Sequence, residues 1–249
     1  MAVIISLTSF GRRLEETAYR AICTLLDQTV PARVVLYPNN DPPSKLRNLS
    51  GLEIRPVGTE IGSYSKFVWA LHDFPNDIIV TADDDLYYPR DWLENLLAQH
   101  ERHPDRIVAH RAHCISFTNG MIAPYHAWKW TVSDATCLFP TGGSGALYPP
   151  NSLHSDTTNS DLFLKLCPKA DDIWLWAMAI LKGTQHCVVP KGYRQLNYIS
   201  GSKAGGSALW QENIYGGGND RQMRAVVNHY PALQEWVKQN CKTDMLARH

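Results

Sequence analysis

The stretch Ile78-Ile79-Val80-Thr81-Ala82-Asp83-Asp84-Asp85 constrains this chain more than any other. Its β-branched run reads as a buried strand. Three adjacent carboxylates then follow, and they repel one another unless positive charge sits among them. Alternation along an extended segment places Asp83 and Asp85 on one side and Asp84 on the other. Two carboxylates on one side make a site for a hard divalent cation, Mn²⁺ or Mg²⁺. Such a cation can bridge a diphosphate and neutralise a leaving group. The competing reading is a solvated turn with a helix cap. Placement directly after a hydrophobic strand favours the binding site.

The neighbouring segments supply the sheet that this strand needs. Val3 to Thr8 reads as a first strand, and Arg13 to Asp27 as an amphipathic helix through Leu14, Ala18, Ile22 and Leu25. Arg33 to Tyr37 is a second strand, stopped by Pro38-Asn39-Asn40-Asp41-Pro42-Pro43. Leu52 to Val57 is a third strand, Ser65 to Asp73 a helix, and Asp77 to Thr81 the fourth strand. Pro89 opens a further helix through Trp92, Leu93, Leu96 and Leu97. Arg106 to His110 is another strand. This alternation predicts an α/β fold with a mostly parallel sheet flanked by helices. Ligands in such sheets bind beyond the carboxyl ends of the strands. The acidic triplet occupies one of those ends.

Beyond residue 111 the texture changes to Gly, Pro, Trp and His, so the chain reads as one domain, 1–249, with halves 1–110 and 111–249. One strong helix remains, Asp171 to Leu181, with Gly183 as its stop. The stretch 200–220 reads as a mobile loop. Within it, Gly216 to Gln222 would close over a bound ligand and bring Arg221 to a diphosphate. Phe139-Pro140-Thr141-Gly142-Gly143-Ser144-Gly145-Ala146-Leu147-Tyr148 is a glycine-rich turn whose bare backbone permits close approach of a ligand. It is not a Walker loop, since no Lys-Ser or Lys-Thr follows. Asp171 and Asp172 open the late helix, where one acid suffices as a cap and the other is left over. Trp174 and Trp176 do not share a face. One is expected in the core, the other at the site.

Charge narrows the function class. Lys plus Arg total 24 and Asp plus Glu total 24, a formal balance of zero. A basic face for nucleic acid is therefore excluded, while a local basic pocket remains allowed. No apolar run approaches the roughly 18 residues of a membrane span. Met1 to Thr8 lacks a basic leader and reads as a strand. The six cysteines form no CxxC pair. This argues against zinc or a disulfide framework and for reduced thiols in a cytoplasmic protein. His186, His229 and Asp220 are late candidates for a further metal ligand, but no HxH motif accompanies them.

The segment Ile78 to Asp85 resembles the DXD segment of nucleotide-sugar glycosyltransferases of the GT-A fold. Val3 to Arg13, with the strand ending Tyr37-Pro38-Asn39-Asn40, resembles their nucleotide-binding half. The whole chain resembles bacterial family 2-like glycosyltransferases of capsule and lipopolysaccharide synthesis. That resemblance implies a GT-A fold with a nucleotide-sugar half, 1–110, and an acceptor half, 111–249. It implies a UDP-sugar donor, a Mn²⁺ or Mg²⁺ cofactor, a glycan or glycolipid acceptor, and work at the inner face of a membrane with at most peripheral contact.

It also assigns roles. Asp85 ligates the metal, and Asp83 contacts ribose or the metal through water. Asp84 belongs to the same donor segment. Thr8, Ser9 and Phe10 frame the nucleoside, Arg12 or Arg13 lies near phosphate, and Asn39 lies near the base. Lys66 meets phosphate or ribose, and Gly142 and Gly143 lie beneath the donor sugar. Asp172 becomes the general base of an inverting transfer, and Asp171 binds hydroxyls. The acidic pair also resembles that of exostosin-like enzymes, which retain configuration. Two other classes stay open. A sugar-phosphate nucleotidyltransferase should carry a glycine-rich basic loop after the first strand, and Thr8 to Arg13 is a poor version of one. A non-catalytic carbohydrate-binding protein would explain the tryptophans but not the ordered acids.

Overall fold

Alternation of buried side chains builds a sheet with two covered faces. Along Val3–Ser9 (β1), Ile5 and Leu7 pack on one face with Leu14, Ala18, Ile22 and Leu25. Ile4 points to the other face and packs with Phe67, Ala70, Leu175 and Ala179. Fully burying each such aliphatic side chain contributes about 1.5–3 kcal/mol. In this computed structural model residues 1–118, 121–131, 137–193, 195–202 and 209–240 are described.

Six further strands complete the sheet: Arg33–Pro38 (β2), Leu52–Ile54 (β3), Ile78–Thr81 (β4), Ile107–Ala109 (β5), Ala146–Tyr148 (β6) and His186–Val188 (β7). Their spatial order is β7-β5-β6-β4-β1-β2-β3. Pairing is parallel throughout, except that β6 runs antiparallel to both β4 and β5. The expected mostly parallel α/β sheet is therefore observed.

Register sets the position of the site. Ser6 lies opposite Thr81, and Ser9 opposite Pro38. The carboxyl ends of β1, β2 and β4 thus lie side by side. Because β6 is antiparallel, with Ala146 opposite Thr81, the glycine turn before it reaches the same edge.

Several local expectations are corrected. The helix expected over Arg13 to Asp27 is two helices, Arg12–Glu16 and Ala18–Leu26, broken at Thr17. The segment expected as a mobile loop contains the helix Leu209–Ile214 and the start of the helix Gly218–His229. Tertiary contacts order that segment: Asp220 accepts the Tyr125 amide at 2.7 Å, and Gln222 accepts the Lys169 amide at 2.8 Å. Residues 203–208 of the expected loop lie outside the described residues. Trp174 and Trp176 are both buried, in a second core with Phe163, Phe139 and Trp128. Neither lines the carboxyl edge, because that core surrounds their helix. Cys137 is disulfide-bonded, which corrects the expectation of reduced thiols throughout. Spacing along the chain does not decide which thiols meet in space. Cys241 lies outside the described residues.

Candidate functional site

Five carboxylates and three cations meet at the sheet's carboxyl edge. Asp83, Asp84 and Asp85 follow β4 in a turn. The simple alternation expected of them does not hold, because the chain leaves extended geometry at Asp84. Asp84 turns inward: Ser9 Oγ donates to it at 2.6 Å and Arg13 Nη1 at 2.9 Å. The same Arg13 nitrogen lies 3.5 Å from Asp85 Oδ2. Asp83 faces the other way, and Lys66 Nζ donates to its Oδ1 at 2.8 Å. The turn is further fixed by Tyr88, whose hydroxyl oxygen accepts the Asp83 amide at 2.6 Å and donates to the Asp83 carbonyl at 3.2 Å.

Lys66 joins the two acidic segments. It sits in the first turn of the helix Ser65–Asp73, where Ser6 Oγ anchors its carbonyl. Its ammonium reaches Asp171 Oδ2 at 3.3 Å as well as Asp83. Burial opposes that charge, but Asp171, Asp83 and Asp172 outweigh it and raise the lysine well above its ordinary range. Neither Asp171 nor Asp172 caps its own helix; the cap position is Ala170, with no side-chain bond. Asp172 Oδ1 instead accepts the Gly142 amide at 2.8 Å. A Cβ at Gly142 would lie 2.9 Å from that oxygen, so the position excludes any side chain unless the carboxylate moves.

The electrostatics are uneven. Burial pushes Asp83 up, but Lys66, Arg13 and Arg111 prevail and hold it below the usual carboxylate range. Asp84 is pushed up by burial despite Arg13 and Ser9. Burial, then the charges of Asp83 and Asp84, raise Asp85 to about 7. Burial, then Asp171, raise Asp172 to about 7 against the pull of Lys66 and the Gly142 amide. Among the described residues Arg13, Lys66 and Arg111 stand against Asp83, Asp84, Asp85, Asp171 and Asp172, so full ionisation of the five acids would leave two negative charges unbalanced.

The remaining predicted residues divide between the rim and the scaffold. Phe10 is 49% exposed at the rim, with the Arg13 guanidinium 5.9 Å from its ring centre. Asn39 lies at the end of β2, and its Nδ2 is buried with no partner among the described residues. Thr8 Oγ1 is spent on the Tyr37 carbonyl at 2.7 Å. Arg12 is exposed and pairs with Glu16, outside the cluster. Arg221 donates to the Gly216 carbonyl, and no contact joins it to the aspartates. It lies in the helix Gly218–His229. Among the described residues no hydrogen bond or ion pair joins His186 or His229 to the cluster, and Asp220 accepts the Tyr125 amide. Among the described residues no three His, Cys, Asp or Glu side chains are gathered to hold a metal ion.

Sequence reasoning missed Arg111, Tyr88 and the pairing of Gly145 with Trp92. Arg111 follows the carboxyl end of β5, so the rule that singled out Asp83 applied to it too. A Cβ at Gly143 would lie 2.7 Å from Arg111 Nη2 and 3.8 Å from Asp83 Oδ2. Gly145, at φ +95°, would set a Cβ 2.3 Å from the Trp92 ring. The Trp92 indole donates to the Ser144 carbonyl at 2.7 Å and fixes the glycine turn from behind.

The sheet and its connections share their fold with solved structures of one bacterial protein. Staphylococcus aureus TarS 1–349 in complex with UDP-GlcNAc is similar, with TM-score 0.55 and 17% identity over 92% of this chain and 66% of that one. The complex of the same fragment with UDP gives TM-score 0.53 and 16% identity over 92% of this chain and 65% of that one. A longer TarS structure gives TM-score 0.51 at 16% identity, covering 80% of this chain and 36% of its own. This chain thus spans just under two thirds of the TarS 1–349 complexes. No family model and no curated protein matches the sequence. No helix among the described residues is long and apolar enough to cross a membrane.

Proposed function

We propose that the protein is a glycosyltransferase that moves a sugar from a nucleotide diphosphate donor, UDP-linked, to a hydroxyl of a glycan or glycolipid. The observation that carries this reading is the placement of Asp172. Its carboxylate is partly buried, raised to about 7 and held by Gly142 at the strand edge that also presents Asp83 to Asp85. A general base works best with a pKa near the operating pH. The fold is shared with structures that hold UDP and UDP-GlcNAc.

In this reading Phe10, Asn39 and Ser9 frame the nucleoside. The unpaired Asn39 Nδ2 offers a donor to a base carbonyl. Asp172 takes the proton from the acceptor hydroxyl as that oxygen bonds to the anomeric carbon. The bond from that carbon to the diphosphate oxygen breaks, and the diphosphate departs with the electron pair. Configuration inverts at that carbon. Asp171, with Lys66, positions hydroxyls.

The donor set also fits a divalent cation. Full ionisation of the cluster would leave two negative charges uncompensated, and Asp85, raised to about 7 beside Asp83 and Asp84, is a carboxylate that a bound cation would hold ionised. Asp85, aided by Asp83, would hold Mn²⁺ or Mg²⁺. When bound, the metal neutralises charge on the departing diphosphate. The pathway is the synthesis of capsule or lipopolysaccharide at the cytoplasmic face of the membrane. That assignment rests on the sequence resemblance.

The test is calorimetric titration of UDP, GDP and CMP with and without Mn²⁺. UDP binding that requires metal, and disappears in Asp85→Asn, supports the reading. Absence of any nucleotide binding by folded protein refutes it. Pyrophosphate release from a nucleoside triphosphate and a sugar phosphate would point instead to nucleotidyl transfer.

A further inference from the structure

Arg111 differs from the other two cations of the cluster. Arg13 is spent on Asp84 and Asp85, and Lys66 on Asp83 and Asp171. Arg111 donates only its Nε, to Thr141 Oγ1 at 2.6 Å. Its two Nη groups have no hydrogen-bond or ion-pair partner among the described residues. Their four N–H bonds are left for a ligand.

The side chain is nevertheless held in place. Its guanidinium carbon lies 4.9 Å from the centre of the Trp130 ring. Trp130 in turn lies on His113, with ring centres 3.7 Å apart and planes 32° apart. The register explains this contact, since Trp130 and His113 are directly paired in an antiparallel ladder. Burial and Arg111 lower His113 to about 4, so the ring is neutral and does not repel the cation above it. Trp130 is 44% exposed, so part of its indole remains accessible to a ligand. Gly143 lacks the side chain that would fill the space between Arg111 and Asp83.

A planar guanidinium with open donors matches oxyanions in a two-pronged geometry. An exposed indole beside it matches the apolar face of a sugar ring. Nucleoside contacts belong to β1, β2 and β4, whereas Arg111 leaves β5 and lies beside the Gly142–Gly143 turn, between Asp83 and the segment that holds Asp172. Adjacent glycines link the two: the Gly142 amide donates to Asp172, and Gly143 faces the Arg111 guanidinium. We propose that Arg111 and Trp130 form a subsite for an oxyanion-bearing sugar of the acceptor, carrying a phosphate or a carboxylate, next to the base Asp172. The proposal rests on the glycosyltransferase reading and narrows its acceptor to anionic glycans.

The test uses the full chain saturated with UDP and Mn²⁺. Glucose 6-phosphate, glucuronate and methyl glucoside are titrated while tryptophan fluorescence is followed. Both anionic probes are expected to bind at least tenfold more tightly than the neutral one. Arg111→Gln is expected to erase that preference while UDP affinity changes less than about twofold. Arg111→Lys keeps the charge but not the fork, and should retain only part of the preference. Trp130→Ala should weaken all three sugars, with the preference for the anionic ones retained. A wild type that does not distinguish anionic from neutral sugars overturns the proposal and leaves UDP binding, hence the enzyme reading, intact. A tenfold or greater loss of UDP affinity in Arg111→Gln also overturns it, because the oxyanion is then the donor's diphosphate. Arg111-dependent binding of the anionic probes by protein that binds no nucleotide supports the oxyanion site while sinking the glycosyltransferase reading.

Discussion

Replacing Asp172 by Asn should make the protein more stable and inactive, and the stability gain should depend on pH. Asp172 is raised from an ordinary 3.8 to about 7, chiefly by burial and then by Asp171. For an acid with a raised folded pKa, the unfolded chain loses its proton first. Stability therefore falls as pH rises from about 4 to about 7, and stays low above that. The displacement corresponds to about 4 kcal/mol at full ionisation. Asp172 is only partly buried, and solvent screening reduces that figure by about half, to roughly 2 kcal/mol. Asn keeps an oxygen for the Gly142 amide and carries no charge, so that cost disappears. For a chain of this length 2 kcal/mol corresponds to a rise of roughly 4–8 °C in Tm. Differential scanning calorimetry of both proteins at pH 8 and pH 4 measures it. The rise should appear at pH 8 and vanish at pH 4. An unchanged or lowered Tm at pH 8, or a gain equal at both pH values, would refute the assignment of buried charge to Asp172.

Four further outcomes follow from the same geometry. The transfer rate at saturating substrates should climb as pH passes about 7, because only ionised Asp172 accepts a proton; a rate flat from pH 5 to pH 9 would exclude it as the base. Lys66→Met should leave Asp171 and the partly exposed Asp83 without their shared cation, at a cost of about 3 kcal/mol, the lower end for a broken buried pair, read as a fall in the urea midpoint. Gly142→Ala should keep the fold by circular dichroism and lose transfer at least tenfold, since a Cβ there would lie 2.9 Å from Asp172 Oδ1. Gly145→Ala should destabilise by about 3 kcal/mol or more, because the left-handed backbone and the Trp92 ring both oppose a side chain; a Tm within 2 °C of wild type would contradict that.

Local order was legible in the sequence wherever a single element carried the signal. Val3–Ser9, Ser65–Asp73 and Asp171–Lys182 follow directly from apolar periodicity and stop residues. The alternation of strand and helix sufficed for the α/β class, because parallel strands require crossovers and covered faces. The acid after β4 was likewise legible, since a strand that ends in charge must end at a solvent or ligand edge.

Only the tertiary structure decided how those charges are used. Periodicity assigns side chains to faces of one element and says nothing of partners 60 or 90 residues away. Arg13 therefore turned out to serve Asp84 and Asp85 while Arg12 faces solvent. Lys66 bridges two acids 88 positions apart in the chain, Asp83 and Asp171. Arg111 gained its role from a strand register and an aromatic stack, neither visible in its neighbours. The segment before Gly218–His229 reads as a loop by composition, yet long-range hydrogen bonds order its helices. The sequence by itself determined which elements form and where charge collects; burial and strand register decided which carboxylates are held ionised and which are raised toward neutrality. The physical reason is that pairing and desolvation are properties of space, summed over every neighbour, and not of the order of residues along the chain.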